Sequence, residues 1–511
     1  MEESVHKQLR IAKRNTAVES FDVTSLLNDN CEDSLIPSAT MSGAYSNDSD
    51  LKHISDEPIE ESQECFKADV TPNLENLPAE LRTQLLLSMP DLPTLRALIH
   101  ASPTMHTQYR YDRDHVLWTC LERELSGFLI DAYANMMSRV CELGSPRTDE
   151  KITSFLDTYR GWLSGASALP DLQSIDSGYI HWMAAYHISV ACPLARMYSS
   201  WALDNIKETI SSSVARNGTE TLPIAQDSRG VNLSRSEEIR IFRALYRYET
   251  YHHLFGRNKG RRHGGFRHHE INEIFFSQFA PWEAEAVGCV DIFIRQKYKD
   301  IFSDVKEDLH PQNARFRLEN GTFNPEGSFN LEGEYDVLSC QSTDYMDGTV
   351  SRGLKMAVRL LNIEDHEKLV SKMQRCLTHD QNLDAPVRTA IGLAAQSDRR
   401  EMSTSFPNKR DEAEQRQDPI RFTGDTVPPN GPPLAWVLLW GGKYANIYGE
   451  YVPESLRRWG YVIWDKVRWD SMEAKELIAR QWEMEPELVE EIKIDIGWSP
   501  LGSGSVTIEH K

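Results

Sequence analysis

The sequence predicts a mainly α protein: a short N-terminal three-helix unit, then an irregular helical domain with long loops, preceded by a disordered N-terminus. Two observations carry that prediction. Apolar residues recur three and four positions apart in most folded-looking stretches, the period of one helix face. Helix-start signals stand in front of them, as in Ser234-Arg-Ser-Glu237 and Pro281-Trp-Glu283. No 34-residue helical repeat, leucine-rich period or blade spacing is found, so a repeat architecture is not expected.

Residues 1–70 read as an acidic, disordered tail. From Asn28 to Val70 the chain is rich in Ser, Asp and Glu, with two lysines and few aromatics. Such a segment buries too little apolar surface to offset its chain entropy. Residues 74–120 form the first predicted unit. Asn76 is placed as the cap of a helix that takes Pro78 into its first turn, where the missing N–H is not needed. Leu81, Leu85 and Met89 follow at four-residue spacing as one apolar face, and Pro90 stops the helix. A second helix starts near Leu92, with Leu95, Leu98 and Ile99 as its buried stripe. It stops at Ser102-Pro103, because a residue before proline is pushed out of the α region. Val116, Leu117 and Trp118 open the third.

In its order of residues this stretch resembles the F-box: Leu77-Pro78-x-Glu80-Leu81, then Leu85, Met89, Leu92, Leu95, Leu98, Ala101-Ser102 and Leu117-Trp118. It departs from the common pattern at Pro93 and Ala101. The resemblance covers under a tenth of the chain. It implies docking on the Skp-type adaptor of a cullin–RING ubiquitin ligase, with Leu77, Pro78, Leu81, Leu85 and Leu92 as adaptor-binding residues. The rest of the chain would then present an unknown protein substrate. The strings PWEAEAVGCVDIFI (281–294) and WVLLWGG…LRRWGYVIWD (436–465) are similar to ones in fungal F-box proteins of unassigned substrate, which extends the resemblance over most of the chain.

The helical body is predicted over 121–302. Phe128, Leu129, Ala132 and Met136-Met137 mark one helix within Leu121–Val140. Phe155, Leu156, Tyr159 and Trp162 mark another. Ile180–Ile206 is a long helix that Pro193 should kink or split. Ser234 and Glu237 form a capping box, and the helix behind them carries Ile241, Leu245, Tyr248, Tyr251 or His252, and Phe255 on one face. Pro281 and Glu283 start a helix with Val287, Val290, Phe293 or Ile294, and Tyr298 inward. Residues 303–350 and 397–433 read as a loop and a Pro-rich linker flanking a helical segment at 351–396. From 434 to 495 tryptophans concentrate, at 436, 440, 459, 464, 469 and 482. Each buries roughly 150–250 Å² when enclosed. Core packing is the expected role, against a carbohydrate or peptide platform.

At 511 residues the chain is long enough for two or more folded units. Its net charge of −21 and pI near 5.3 argue against a nucleic-acid or anionic-membrane partner for the whole chain. No run of about 20 apolar residues spans a bilayer, and the start MEESVHKQLRIAKRN lacks an apolar signal core. The eight cysteines are scattered, without a C-x-x-C pair, as expected of reduced thiols in the cytoplasm or nucleus. The one strongly basic patch holds Arg257, Lys259, Arg261, Arg262 and Arg267 beside His263, His268 and His269. It reads either as an anionic-ligand site built on arginine forks or as a solvated basic loop. Its spacing lacks the paired ligands of a structural zinc, so no metal is expected, and no cofactor. Phosphate-loop, dinucleotide, nucleophile-elbow and H-E-x-x-H motifs are absent. The expectation is a non-catalytic receptor subunit. The alternative is a helical interaction scaffold without a ligase role, and an enzyme site in the Trp-rich third stands lowest.

Overall fold

The computed structural model describes residues 74–143, 147–170, 174–216, 232–256, 265–306, 308–309, 345–377, 384–402, 408–497 and 499–500. The tail predicted for residues 1–70 lies outside them. The described residues are mainly helical and contain no strand, only an isolated bridge between Pro419 and Lys443. The chain divides into two compact units, with the boundary between Cys120 and Leu121.

In the smaller unit a 3-10 turn at Leu74–Asn76 leads into α1 (Ala79–Leu87), α2 (Leu92–Ala101), α3 (Pro103–Tyr111) and the start of α4 (Arg113–Glu124), whose last residues, from Leu121 to Glu124, belong to the larger unit. Four helices stand where three are predicted. Ser102-Pro103 does end α2, but it also starts α3: the Ser102 hydroxyl accepts the Met105 N–H at 3.2 Å, with Pro103 in the first turn. The same dipeptide is thus a stop and a start. Asn76 is no cap but part of the 3-10 turn, and Pro78 stands just ahead of α1 rather than inside it. Asp91 caps α2 by accepting the Thr94 N–H at 2.7 Å. Leu86, Leu92, Leu95, Met105, Val116 and Leu117 make the core. Leu98 and Ile99, predicted in the buried stripe, are only half-buried.

In the larger unit, the helix predicted within Leu121–Val140 is interrupted at Gly127, whose φ of +96° suits a residue without a Cβ. The chain resumes as α5 (Leu129–Met137) and α6 (Asp149–Ser164), the latter capped by Thr148. α7 (Ser177–Tyr186) and α8 (Cys192–Arg216) are joined by a π-helical turn at His187–Ala191. Pro193 offers no N–H, and its ring crowds the carbonyl four residues back. The helix widens by one turn just before it and carries on.

α9 (Arg235–Phe255) is the axis of the unit. Its capping box forms: the Ser234 hydroxyl accepts the Glu237 N–H at 3.2 Å, and Glu237 takes the Ser234 N–H at 3.0 Å. The helix is buried on every side rather than on one face. The one-face prediction fails because charged residues do not imply solvent here; Arg240, Arg247 and Glu249 are each enclosed and bonded to distant parts of the chain. α10 (His268–Ile274) precedes α11 (Pro281–Val305), which packs along α9, with the Tyr248 hydroxyl donating to Asp291 at 3.2 Å.

Two regions read as loops hold helices. Within 303–350, α11 runs to Val305 and a helix spans Tyr345–Val350, where buried Asp347 takes the Arg388 guanidinium at 2.8 Å and also pairs with Arg295. Within 397–433, α12 (Leu393–Met402) and α13 (Lys409–Gln415) are pinned by charge. Arg399 forks onto Asp411 at 2.8 and 2.9 Å, and Arg400 meets Glu414 at 2.5 Å. Paired charges carry no apolar period, so the pattern missed them. The tryptophans at 436, 440, 459, 464, 469 and 482 are all buried. The indole N–H groups of Trp464 and Trp482 donate to the Trp459 and Leu439 carbonyls, each at 2.6 Å. This is core packing.

Candidate functional site

α1 has two apolar sides. Leu86 is fully buried, and its neighbours Arg82 and Thr83 bond to Gln108 of α3 at 3.4 and 2.9 Å. Leu81 lies five residues back, roughly 140° around the helix at 100° per residue. It is 51 % exposed, and Leu74 is 54 % exposed. Of the predicted stripe, Leu81 looks outward, whereas Leu85 and Met89 are half-buried. Of the other candidate residues, Pro78 is exposed, Leu77 and Leu85 are half-buried, and Leu92 is buried in the unit's own core. Leu92 thus supports the fold rather than offering a surface.

Of the basic patch, Arg257, Lys259, Arg261 and Arg262 lie outside the described residues. Arg267 is exposed at the start of α10, its backbone N–H donating to Glu270 at 2.7 Å. Beside it His268 meets Asp398 at 2.8 Å.

A cleft on α9 is lined by Arg240, Arg243, Arg247, Trp282, Glu283 and Pro429, among others. Its three guanidinium groups already have partners. Arg240 meets Asp465 at 2.6 Å and Asp425 at 2.9 Å. Arg243 donates to the Gly127 and Pro429 carbonyls at 2.9 and 3.0 Å. Arg247 meets Asp131 at 2.7 Å and Glu283 at 3.2 Å. Burial works against the Arg247 charge, but Asp131 and Glu283 more than offset it, so its pKa lies above the ordinary value. Burial likewise opposes the Glu283 carboxylate, and Arg247 and Arg243 nevertheless hold its pKa below the ordinary one. The cleft is a closed charge ladder with no surplus cation to offer an anionic ligand.

The π-helical turn builds a third arrangement, which sequence reasoning missed. Cys192 donates its N–H to the His187 carbonyl, closing a five-residue ring. On an α-helix those side chains would point roughly 140° apart; the wider turn brings them together. With Glu124 they form a cluster whose ligand atoms all lie within 4.8 Å of one another. His187 Nε2 is 3.2 Å from Glu124 Oε1, and Nδ1 is 2.9 Å from the Tyr246 hydroxyl. The Phe242 and Phe128 rings flank the imidazole at 4.9 and 5.9 Å. Burial opposes protonation of His187, but Cys192 and Glu124 raise its pKa to about 10. Arg235 donates to the Glu124 and Ser126 carbonyls at 2.6 and 2.9 Å, holding the end of that segment. No signal in the sequence marks this cluster, because its spacing is a helical one only when the helix is widened.

No protein-family model, no curated protein and no solved structure matches the chain. Among the described residues, no helix is long and apolar enough to cross a membrane.

Proposed function

We propose that the chain is an F-box-type receptor. Its residues 74–89 dock on a Skp-type adaptor of a cullin–RING ubiquitin ligase, and its larger unit presents a protein substrate, in the cytoplasm or nucleus. The supporting observation is the outward apolar side of α1. Leu81 is half exposed, while Leu86, about 140° around the helix, is fully buried. Leu81, with Leu74 also exposed, offers apolar side chains that a partner's hydrophobic groove could cover. The receptor supplies no chemistry in this reading. It holds a substrate while other subunits transfer ubiquitin, in keeping with a cleft whose charges are internally matched.

A pull-down of the full chain on purified adaptor tests the proposal, beside the double variant Leu77→Ala, Pro78→Ala checked for intact helicity. Capture of the wild type and loss in the folded variant is the expected result. Failure of the folded wild type to bind removes the ubiquitin link and leaves a helical scaffold.

A further inference from the structure

We propose that Glu124, His187 and Cys192 bind one zinc-class divalent cation. The donor set is chemically mixed in the way such an ion prefers: a thiol sulfur, an imidazole nitrogen and a carboxylate oxygen. The spacing fits. Zinc–nitrogen and zinc–oxygen bonds of about 2.0–2.2 Å in a tetrahedron put the two donors about 3.3 Å apart, and Nε2 and Oε1 stand 3.2 Å apart. The sulfur lies within 4.8 Å of the other two donor atoms.

The surroundings also fit. A bound imidazole needs its second nitrogen held, which fixes ring orientation; the Tyr246 hydroxyl does this at 2.9 Å. The Phe128 and Phe242 rings give His187 a low-dielectric shell. A thiolate and a carboxylate neutralise a divalent ion, so the occupied site, with a neutral imidazole, carries no net charge into that shell, and the protons held by the imidazole and the thiol leave to solvent. Cys192 is half-buried and Glu124 keeps some exposure, which gives an ion a way in and leaves the fourth tetrahedral position to water. This inference does not depend on the adaptor reading.

Cobalt(II) is the probe. The full chain, stripped with a chelator and exchanged into metal-free buffer, is titrated with Co²⁺ and followed by absorption. One equivalent should raise a thiolate-to-cobalt charge-transfer band with visible d–d bands, bleached by Zn²⁺ and indifferent to Mg²⁺. Cys192→Ser should abolish the charge-transfer band. Glu124→Gln and the volume-conserving Tyr246→Phe should each weaken binding about 10–100-fold, the range for disturbed metal shells, with unchanged circular dichroism. Absence of the band in the folded wild type, or its persistence in Cys192→Ser, overturns the proposal. So does wild-type affinity in folded Glu124→Gln.

Discussion

Substitutions at Leu81 and Leu86 separate binding from folding on a single helix. Fully burying a leucine side chain is worth about 1.5–3 kcal/mol. Leu81 is 51 % exposed in the free chain, so a partner that covers it gains about half of that, ~0.8–1.5 kcal/mol. Leu81→Ala should therefore weaken adaptor binding about 4- to 12-fold at 1.4 kcal/mol per decade. Leu81→Asp would place a carboxylate against an apolar groove and should reach the hot-spot range, a loss of at least about 2 kcal/mol or 30-fold. Leu86 is fully buried, and Leu86→Ala should destabilise the smaller unit by about 2–5 kcal/mol through the cavity it leaves. Biolayer interferometry on immobilised adaptor reads the first effect, mostly in the dissociation rate. Thermal unfolding followed by far-UV circular dichroism reads the second. Wild-type affinity in Leu81→Asp would refute the docking surface. A melting loss in Leu81→Ala as large as that in Leu86→Ala would refute the assignment of the two sides.

Three further outcomes concern the larger unit. Asp131→Asn breaks the enclosed pair with Arg247; because Glu283 still faces the guanidinium, the loss should sit near the low end of the buried-pair range, about 3 kcal/mol by urea unfolding, and a loss below about 1 kcal/mol would contradict the burial. Burial, aided by Arg295 and opposed by the Tyr248 carbonyl, holds the His252 pKa down to about 3, whereas the unfolded ring titrates near 6.5. The unfolded chain then binds the extra proton, so this residue's contribution is intact above pH ~6.5 and declines by about 1.4 kcal/mol per pH unit below it. Urea midpoints at about pH 7.5 and 5.5 should show His252→Gln losing less stability on acidification than the wild type, and equal slopes would exclude the shift. Gly449 has a φ of +70°, and a Cβ there would overlap the Ile391 carbonyl; Gly449→Ala should cost at least about 2 kcal/mol in the same assay, and a neutral result would show that the turn can relax.

How much was legible follows from what kind of information each feature needs. The capping box at Ser234 and the helix start at Pro281 are local, and the structure places both as read. The burial of the tryptophans follows from their apolar area. The continuation of the 393–402 helix past residue 396 and the helix at 409–415 fall in the expected linker, because Arg399, Arg400, Asp411 and Glu414 look like solvated residues until their partners are known. α3 (Pro103–Tyr111) is the unexpected helix of the smaller unit, because Pro103 reads as a terminator of α2 while it also suits the first turn of the next helix. Leu81 belongs to a visible apolar stripe, but periodicity cannot tell that the fold consumes Leu86 and leaves Leu81 outside. The Glu124–His187–Cys192 cluster needed both a widened turn and a residue some 60 positions away.

The N-terminus of α9 has a consequence in time. Glu237 accepts the Arg468 guanidinium Nε–H at 2.7 Å across 231 positions, and Arg240 reaches Asp465 across 225. At ribosomal rates of about 5–20 residues per second, α9 emerges roughly 10–45 s before the residues that neutralise its first turn. During that interval a helix destined for complete enclosure is solvated on the side those residues will cover. Synthesis must pass residue 468 before the axis of the larger unit can close, and a chain ending short of that point leaves Glu237 and Arg240 without these partners.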